Sequence, residues 1–183
     1  MKNMLPIPIH LEHILIPKGE NNEFEVTGDL KCDCGNNEFT ISFIGKYQDG
    51  IVTLCKYEDV FYLAIKCKCK KCGKLHVIFD NNLHGWNGFV CSDENEFNGY
   101  ENFPIEIYQK SWLCPKCNND SHIISVNISS QGKADFISEV LENSEDARFV
   151  EEDWVNAFEW ITISLKCLTC GFEDKEWIDY ETM

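Results

Sequence analysis

Apolar and polar residues alternate along several short stretches in the first half of the chain. In residues 24–30, Phe, Val, Gly and Leu occupy every second position, with Glu, Thr and Asp between them. This period of two predicts a β-strand with one buried face. The same argument predicts strands over residues 39–44, 51–54 and 60–65, with a hairpin turn at Asp49-Gly50 before the second of these.

The second half continues this pattern with one interruption. We predict strands over residues 105–113, 122–129 and 161–165. Within residues 134–143, the apolar side chains Phe136, Ile137, Val140 and Leu141 follow the spacing of one helix face. An acidic run over residues 144–153 follows this helix. The fold class is therefore predicted to be mainly β with antiparallel strands and a short helix.

The N-terminus has a different pattern because it contains three prolines. Pro6, Pro8 and Pro17 exclude a helix through most of residues 1–20, since proline lacks an amide hydrogen and restricts the residue before it. We therefore expect residues 1–20 to form an extended N-terminal arm.

Four cysteines of the second half have the spacing of a metal site. They form two Cys-x2-Cys pairs, Cys114 with Cys117 and Cys167 with Cys170. This double pair is typical of tetrahedral coordination by four thiolates. Each pair needs a tight turn, and the residues that follow the pairs, Asn118 and Gly171, tolerate the left-handed backbone of such a turn.

The first half carries a less regular set of cysteines. We predict the ligands Cys32, Cys34, Cys69 and Cys72, of which the first two are one residue closer than usual. Cys67 competes for the position of Cys69. When Cys72-Gly73 is aligned with Cys170-Gly171, Cys67 falls opposite Leu165, which is an ordinary strand position. Whether Cys67 replaces Cys69 as a ligand stays open. Cys55 and Cys91 lack a partner at ligand spacing and are interpreted as small buried residues.

Both halves resemble zinc ribbons, in which two cysteine knuckles at the ends of β-hairpins hold one zinc ion. The resemblance covers the knuckles and their flanking strands, and it implies a fold rather than a function. It implies two tandem zinc-ribbon-like units, residues 21–100 and residues 101–183, the second with a helical, acidic insertion. It also implies two structural zinc ions. Iron is the less favoured alternative, since rubredoxins hold iron with similar paired knuckles.

Composition indicates the compartment in which such a protein would work. The chain has 183 residues, of which 11 are cysteines. Its N-terminus does not resemble a signal peptide, and no stretch approaches the roughly 18 apolar residues of a membrane helix. We therefore expect a cytoplasmic protein without membrane contact, in which clustered cysteines indicate metal rather than disulfides.

Charge bears on the class of partner. The formal net charge is −15, whereas nucleic-acid binding depends on lysine and arginine that neutralise phosphates. A local basic cluster is interpreted as offsetting thiolate charge; it consists of Lys66, Lys68, Lys70, Lys71 and Lys74. The overall acidity favours another protein as the partner, and a basic one, through electrostatic steering.

A zinc ribbon does not explain residues 80–89, which place Asp80, His84 and Trp86 among glycines and asparagines. One hypothesis is a binding loop, in which Trp86 offers a stacking surface and the other two residues make polar contacts. The alternative, which we favour, is a structural turn that packs Trp86 into the core.

Three functions are compatible with these patterns. The favoured one is a non-enzymatic protein-interaction module that zinc stabilises, with an inhibitor or immunity-like role as one example. The alternatives are a nucleic-acid-associated zinc-ribbon protein, and a redox or enzymatic protein that uses residues 80–89 or knuckle-bound iron. The sequence contains no phosphate-binding glycine loop, dinucleotide fingerprint or nucleophile elbow, so we predict no catalytic residue.

Overall fold

The computed structural model describes residues 6–92, 103–143 and 148–183, which are mainly β. The strands are β1 (Leu15–Pro17), β2 (Glu25–Leu30), β3 (Phe39–Ile44), β4 (Lys46–Gln48), β5 (Ile51–Thr53), β6 (Cys55–Tyr57), β7 (Val60–Tyr62), β8 (Ala64–Cys69), β9 (Leu75–Asp80), β10 (Gln109–Ser111), β11 (His122–Ser129), β12 (Trp160–Cys167) and β13 (Glu173–Glu181).

The helical segments of the described residues are all short. They are α1 (Ile105–Tyr108), α2 (Lys133–Phe136), two π-helical turns (Trp86–Val90 and Ile137–Glu142) and a 3₁₀-helix (Glu151–Asn156). None of these helices is long and apolar enough to cross a membrane. Every strand pair is antiparallel. The predicted fold class, mainly β and antiparallel with a short helix, is confirmed.

One nine-stranded sheet organises the fold, and β11 is its central strand. Along one edge, β11 pairs with β12 over its whole length; along the other, it pairs with β2 and, at His122, with β3. β8 and β9 continue the sheet beyond β3, β10 also pairs with β3, and β13 pairs with β12. Strands from both halves of the chain therefore share one sheet. The predicted boundary at residue 100 lies outside the described residues, and the division into two units stays a prediction.

Alternation along β11 and β12 builds the centre of the core. Ile124, Val126 and Ile128 are completely buried, and the residues between them are half-buried. In the same hydrophobic core, Trp177 packs edge-to-face on Phe43, with ring centroids 5.6 Å apart. The predicted strand 122–129 therefore has both the bounds and the inward face that the period of two requires.

The strand predicted over residues 60–65 is broken at Leu63, which separates β7 from β8. The backbone N–H of Leu63 donates to Oδ1 of Asn81 (2.6 Å), and the N–H of Asn81 donates to the carbonyl of Leu63 (3.0 Å). Asn81 thus takes up the hydrogen bonds that a neighbouring strand would otherwise make at this point.

The strand predicted over residues 105–113 begins as the helical turn α1 and becomes extended only in β10. The carbonyl of Pro104 accepts the N–H of Ile107 at 2.9 Å, which closes the turn. This turn follows Phe103, which packs on Tyr62 with ring centroids 4.1 Å apart. Phe103 thus packs against an apolar side chain directly before the helical turn. The alternation of apolar and polar residues did not indicate this turn.

At the N-terminus, residues 9–14 form hydrogen-bonded turns where an extended arm is predicted, and extended backbone is limited to β1. The carbonyl of Pro8 accepts the N–H of Leu11 (2.8 Å), and the carbonyl of Leu11 accepts the N–H groups of Ile14 (2.9 Å) and Leu15 (2.8 Å). Leu11, Ile14 and Leu15 are buried. Their i, i+3, i+4 spacing is that of one helical face, and no proline interrupts residues 9–16. We call residues 8–15 the N-terminal turn.

A substitution at Gly85 tests how tightly the C-terminal residues fix the segment that contains Trp86. Gly85 has φ +73°, and a Cβ there would lie 2.5 Å from the side chain of Thr182. We expect Gly85→Ala to lower the free energy of unfolding by roughly 3 kcal/mol, since strain and overlap add.

Gly19→Ala is the matched control for this prediction. Gly19 has a similar φ of +76°, but a Cβ there would meet no atom within 4 Å. Its cost is therefore expected to be only about 1 kcal/mol from the left-handed backbone. Urea unfolding of both variants measures the difference, and equal costs would show that Thr182 does not restrict Gly85.

Candidate metal centres

The first cysteine group, Cys32, Cys34, Cys69 and Cys72, forms where β2 and β8 end. Its four sulfur atoms all lie within 4.8 Å of one another. Sγ of Cys32 is 3.5 Å from that of Cys72, and Sγ of Cys34 is 3.6 Å from that of Cys69. The antiparallel sheet brings these residues together although they are up to 40 positions apart in the chain.

The second cysteine group, Cys114, Cys117, Cys167 and Cys170, repeats this arrangement after β10 and β12. Its sulfur atoms also lie within 4.8 Å of one another. The Sγ–Sγ distances are 3.5 Å from Cys114 to Cys170 and 3.5 Å from Cys117 to Cys167. None of these thiols is in a disulfide. The structure thus brings the eight predicted ligands into two groups that could each hold a metal ion.

The knuckle backbones show why these residues turn so tightly. In the second group, the N–H of Asn118 donates to the carbonyl of Cys114 (2.8 Å), and the N–H of Gly171 donates to the carbonyl of Cys167 (3.0 Å). Both residues have a positive φ, 61° for Asn118 and 73° for Gly171. The expected left-handed positions are therefore present.

In the first cysteine group, one of the two knuckle turns has this form and the other is one residue shorter. The N–H of Gly73 donates to the carbonyl of Cys69 (2.9 Å), four residues back, but the N–H of Gly35 donates to that of Cys32 (2.7 Å), only three residues back. The shorter Cys-x-Cys spacing of this knuckle is thereby accommodated. Both glycines have a positive φ.

The surroundings of the cysteines favour ionisation of one thiol in each group, whereas they oppose ionisation of other thiols. Burial opposes ionisation of Cys69, but the backbone N–H groups of Cys72 and Lys71 and the Asn36 amide outweigh it and lower its pKa to about 6. In the second group the same balance, with N–H groups of Cys170 and Thr169, lowers the pKa of Cys167 to about 7. Conversely, burial and the adjacent thiols raise the pKa of Cys32 to about 12.

These donor sets fit a tetrahedral cation. Four sulfurs at about 2.3 Å from one zinc ion lie about 3.8 Å apart. Two Sγ–Sγ distances in each group, at 3.5–3.6 Å, are close to this value, and all pairs lie within 4.8 Å. Thiolates this close repel one another unless a cation lies between them. Both zinc and iron accept four thiolates in this geometry.

Comparisons with known proteins identified no relative of this chain. No family model, curated protein or solved structure matches the chain. The zinc-ribbon resemblance therefore rests on the two cysteine groups, which are compatible with zinc-ribbon-like units.

The remaining cysteines lie outside both groups. Cys67 is completely buried in the main core, where burial raises the pKa of its thiol. It therefore occupies the strand position that the alignment with Leu165 indicates. Cys55 is half-buried. Cys91 is exposed, contrary to the prediction of a buried residue, because it follows the turn Trp86–Val90 and leaves the core there.

Two lysines of the basic cluster beside the first cysteine group form ion pairs with acidic residues. The Lys70 ammonium is 2.8 Å from the Asp120 carboxylate and 3.9 Å from that of Glu38, and Lys74 pairs with Asp33. Glu38 in turn accepts a hydrogen bond from the hydroxyl of Ser121. These contacts join the knuckle of Cys69 to the start of β11.

The residues of the predicted binding loop have structural contacts. Asp80 is buried; its Oδ1 accepts the N–H of Asn82 (3.0 Å), and its own N–H donates to Nδ1 of His84 (3.0 Å). The N–H of Trp86 donates to the Phe158 carbonyl (2.9 Å), and its half-buried ring packs on a cluster of Phe136, Val140 and Ala157. Asp80, His84 and Trp86 therefore all take part in contacts within the chain.

Sequence reasoning missed the role of the N-terminal turn in this region. His10 stacks on His84 with ring centroids 3.7 Å apart, and Nε2 of His13 lies 3.2 Å from Nδ1 of His76. The i, i+3 spacing of His10 and His13 within a turn was the available signal. It became informative only with the position of β9, which carries His76.

Substitution of one exposed thiol tests the second cysteine group. If that group holds one ion, Cys170→Ser removes a ligand, and we expect the chain to lose one metal ion and roughly 4 kcal/mol of stability. Elemental analysis and thermal unfolding measure both effects.

Cys91→Ser is the matched control, because Cys91 is also an exposed thiol but belongs to neither group. It should retain the wild-type metal content and melting temperature. A Cys170→Ser protein that behaves like this control would remove Cys170 from the ligand set.

The stacked imidazoles predict a pH-dependent stability. Burial, with the adjacent His10, lowers the pKa of His84 to about 3, and burial lowers the pKa of His10 to about 4. In the unfolded chain both rings take up a proton near pH 6.5. The unfolded state therefore binds more protons between about pH 4 and 6.5, so the free energy of unfolding falls as the pH falls through this window.

His84→Asn isolates this effect, since its side-chain oxygen still accepts the Asp80 N–H. Between pH 7 and 5.5, we expect the wild type to lose about 1 kcal/mol more stability than the variant. Urea unfolding at both pH values measures the free energy of unfolding. Comparison of the wild type with the variant cancels any contribution from the cysteines, because both proteins contain them. Equal losses would contradict a neutral, buried His84.

Proposed function

We propose that this chain is a non-enzymatic protein-interaction module, stabilised by two zinc ions, whose acidic surface binds a basic partner protein. The observation that carries the proposal is the composition of the two cysteine groups. Each provides four thiols, a complete tetrahedral set. Complete thiolate sets are typical of structural zinc, whereas catalytic zinc has about three protein ligands and an open position.

In this proposal the eight grouped cysteines hold the metal, and zinc supplies cross-links between distant parts of the chain. In the first group such a link joins the ends of β2 and β8, and in the second it joins the ends of β10 and β12. Because all four strands belong to the nine-stranded sheet, both links would stabilise the same sheet.

The charge distribution supports a basic partner. The chain has 31 acidic and 16 basic residues. Several of its lysines lie in ion pairs within the chain, namely Lys18, Lys56, Lys70, Lys74, Lys133 and Lys166. Each such pair neutralises one basic and one acidic group, so the formal acidic excess of the chain is unchanged and remains to attract a cationic surface. An inhibitor or immunity-like role against such a protein is one form of this function.

Capture experiments test the proposal. Tagged protein that carries its metal is used to capture partners from a lysate of its source cells, with nuclease-treated lysate in parallel. We expect a basic protein that forms a stoichiometric complex when re-mixed in purified form, with an association rate that falls steeply with ionic strength.

Two controls make the result decisive. Cys91→Ser should capture the same protein, and Cys170→Ser, which lacks one ligand, should capture less. Capture that disappears after nuclease treatment would instead favour the nucleic-acid-associated alternative. A partner that is acidic, or binding that is insensitive to salt, would contradict the proposed electrostatic recognition.

A further inference from the structure

A cavity of about 230 Å³ lies between the N-terminal turn and the segment that follows β9. It is lined by Ile9, His10, Leu83, His84, Phe89 and Asn156. Ile9 and Leu83 are 63% and 48% exposed. Apart from the two histidines, which are neutral at physiological pH, the lining has no ionisable side chain.

The two stacked imidazoles have defined tautomers. Nε2 of His10 lies 3.1 Å from the carbonyl of Ile78, to which it can only donate, so the neutral ring leaves Nδ1 as an acceptor. Nδ1 of His84 accepts the N–H of Asp80, so its proton is on Nε2. The rings are nearly parallel, with an angle of 5° between their planes. In the neutral pair, Nε2 of His84 is therefore a donor and Nδ1 of His10 an acceptor, and neither has a hydrogen-bond partner among the described residues.

Asn156 adds a second donor. The residue is only 8% exposed, and its Oδ1 accepts the N–H of Ile9 at 3.1 Å. Its Nδ2 group has no hydrogen-bond partner in the part of the chain that the structure describes, and it is not among the fully enclosed polar atoms. A side chain this deeply buried that leaves two N–H bonds unused is expected to meet water or a ligand in the cavity that it lines.

We propose that this cavity binds a small uncharged ring compound that carries a carboxamide or carbonyl group. The carbonyl oxygen accepts hydrogen bonds from Nδ2 of Asn156 and Nε2 of His84, and an amide N–H donates to Nδ1 of His10. The apolar ring packs against Phe89, Leu83 and Ile9. The volume is below the roughly 300–1,000 Å³ of pockets for drug-sized ligands, which restricts the ligand to about one ring.

A charged ligand is disfavoured because the cavity provides no counter-ion, and an unpaired buried charge is costly. A purely apolar ligand leaves the Asn156 and His84 donors without partners. This ligand site does not depend on the cysteine groups or on the identity of a protein partner, so it goes beyond the proposed function.

Three probes of similar size test the inference on the full-length wild-type protein. They are benzamide, benzoate and toluene, titrated while NMR records the backbone amides near the cavity and the side-chain amide of Asn156. We expect benzamide to shift these signals saturably, with a dissociation constant in the millimolar range that is usual for a single-ring fragment. Benzoate and toluene should bind at least about tenfold more weakly.

Asn156→Asp is the informative variant. Its carboxylate still accepts the N–H of Ile9 but cannot donate to a carbonyl oxygen, so benzamide should bind about tenfold more weakly or not at all. Asn87→Asp is the control, because it adds the same charge at a nearby exposed position that does not line the cavity. It should leave benzamide binding unchanged.

Several results would overturn the inference. Absence of saturable shifts with benzamide would show that the cavity binds no such compound. Equal affinity for toluene would show only an apolar depression, and equal affinity for benzoate would contradict the preference for uncharged ligands. The wild-type comparison of three probes is decisive even if Asn156→Asp does not fold.

Discussion

The central constraint on this structure is the close spacing of four thiols in each cysteine group. Sulfur atoms within 4.8 Å of one another cannot all ionise unless a cation compensates them. Backbone N–H groups at the knuckles stabilise one thiolate per group, as the lowered pKa of Cys69 and Cys167 shows, but they do not stabilise four. A divalent metal would resolve this conflict and would cross-link strand ends that only tertiary structure brings together. Folding and metal binding are therefore expected to be coupled.

The two cysteine groups are linked through the protein between them. β8 ends at Cys69 and β12 ends at Cys167, and both strands belong to the sheet around β11. Lys70, next to Cys69, pairs with Asp120 just before β11, and His122 at the start of β11 lies opposite both Phe39 and Cys167.

Local patterns in the sequence predicted much of this arrangement. Strands 39–44 and 122–129 have the predicted bounds, because alternation reports directly on a half-buried strand. Cysteine spacing identified eight residues that the structure assembles, because knuckle geometry is itself local. The break at Leu63 depends instead on Asn81, and the burial of the N-terminal turn depends on its position beside β9. The histidine pairs and the cavity depend on tertiary contacts, which the i, i+3 spacing of His10 and His13 does not locate by itself.

Native mass spectrometry of freshly purified protein, with elemental analysis of the same sample, tests the central claim most directly. The account predicts two zinc ions per chain, and their removal by a chelator should unfold the sheet. Two iron ions and a coloured sample would retain the cysteine groups but replace the structural role by electron transfer. A folded protein that carries no metal would contradict the account, because the eight grouped thiols would then lie together without a cation.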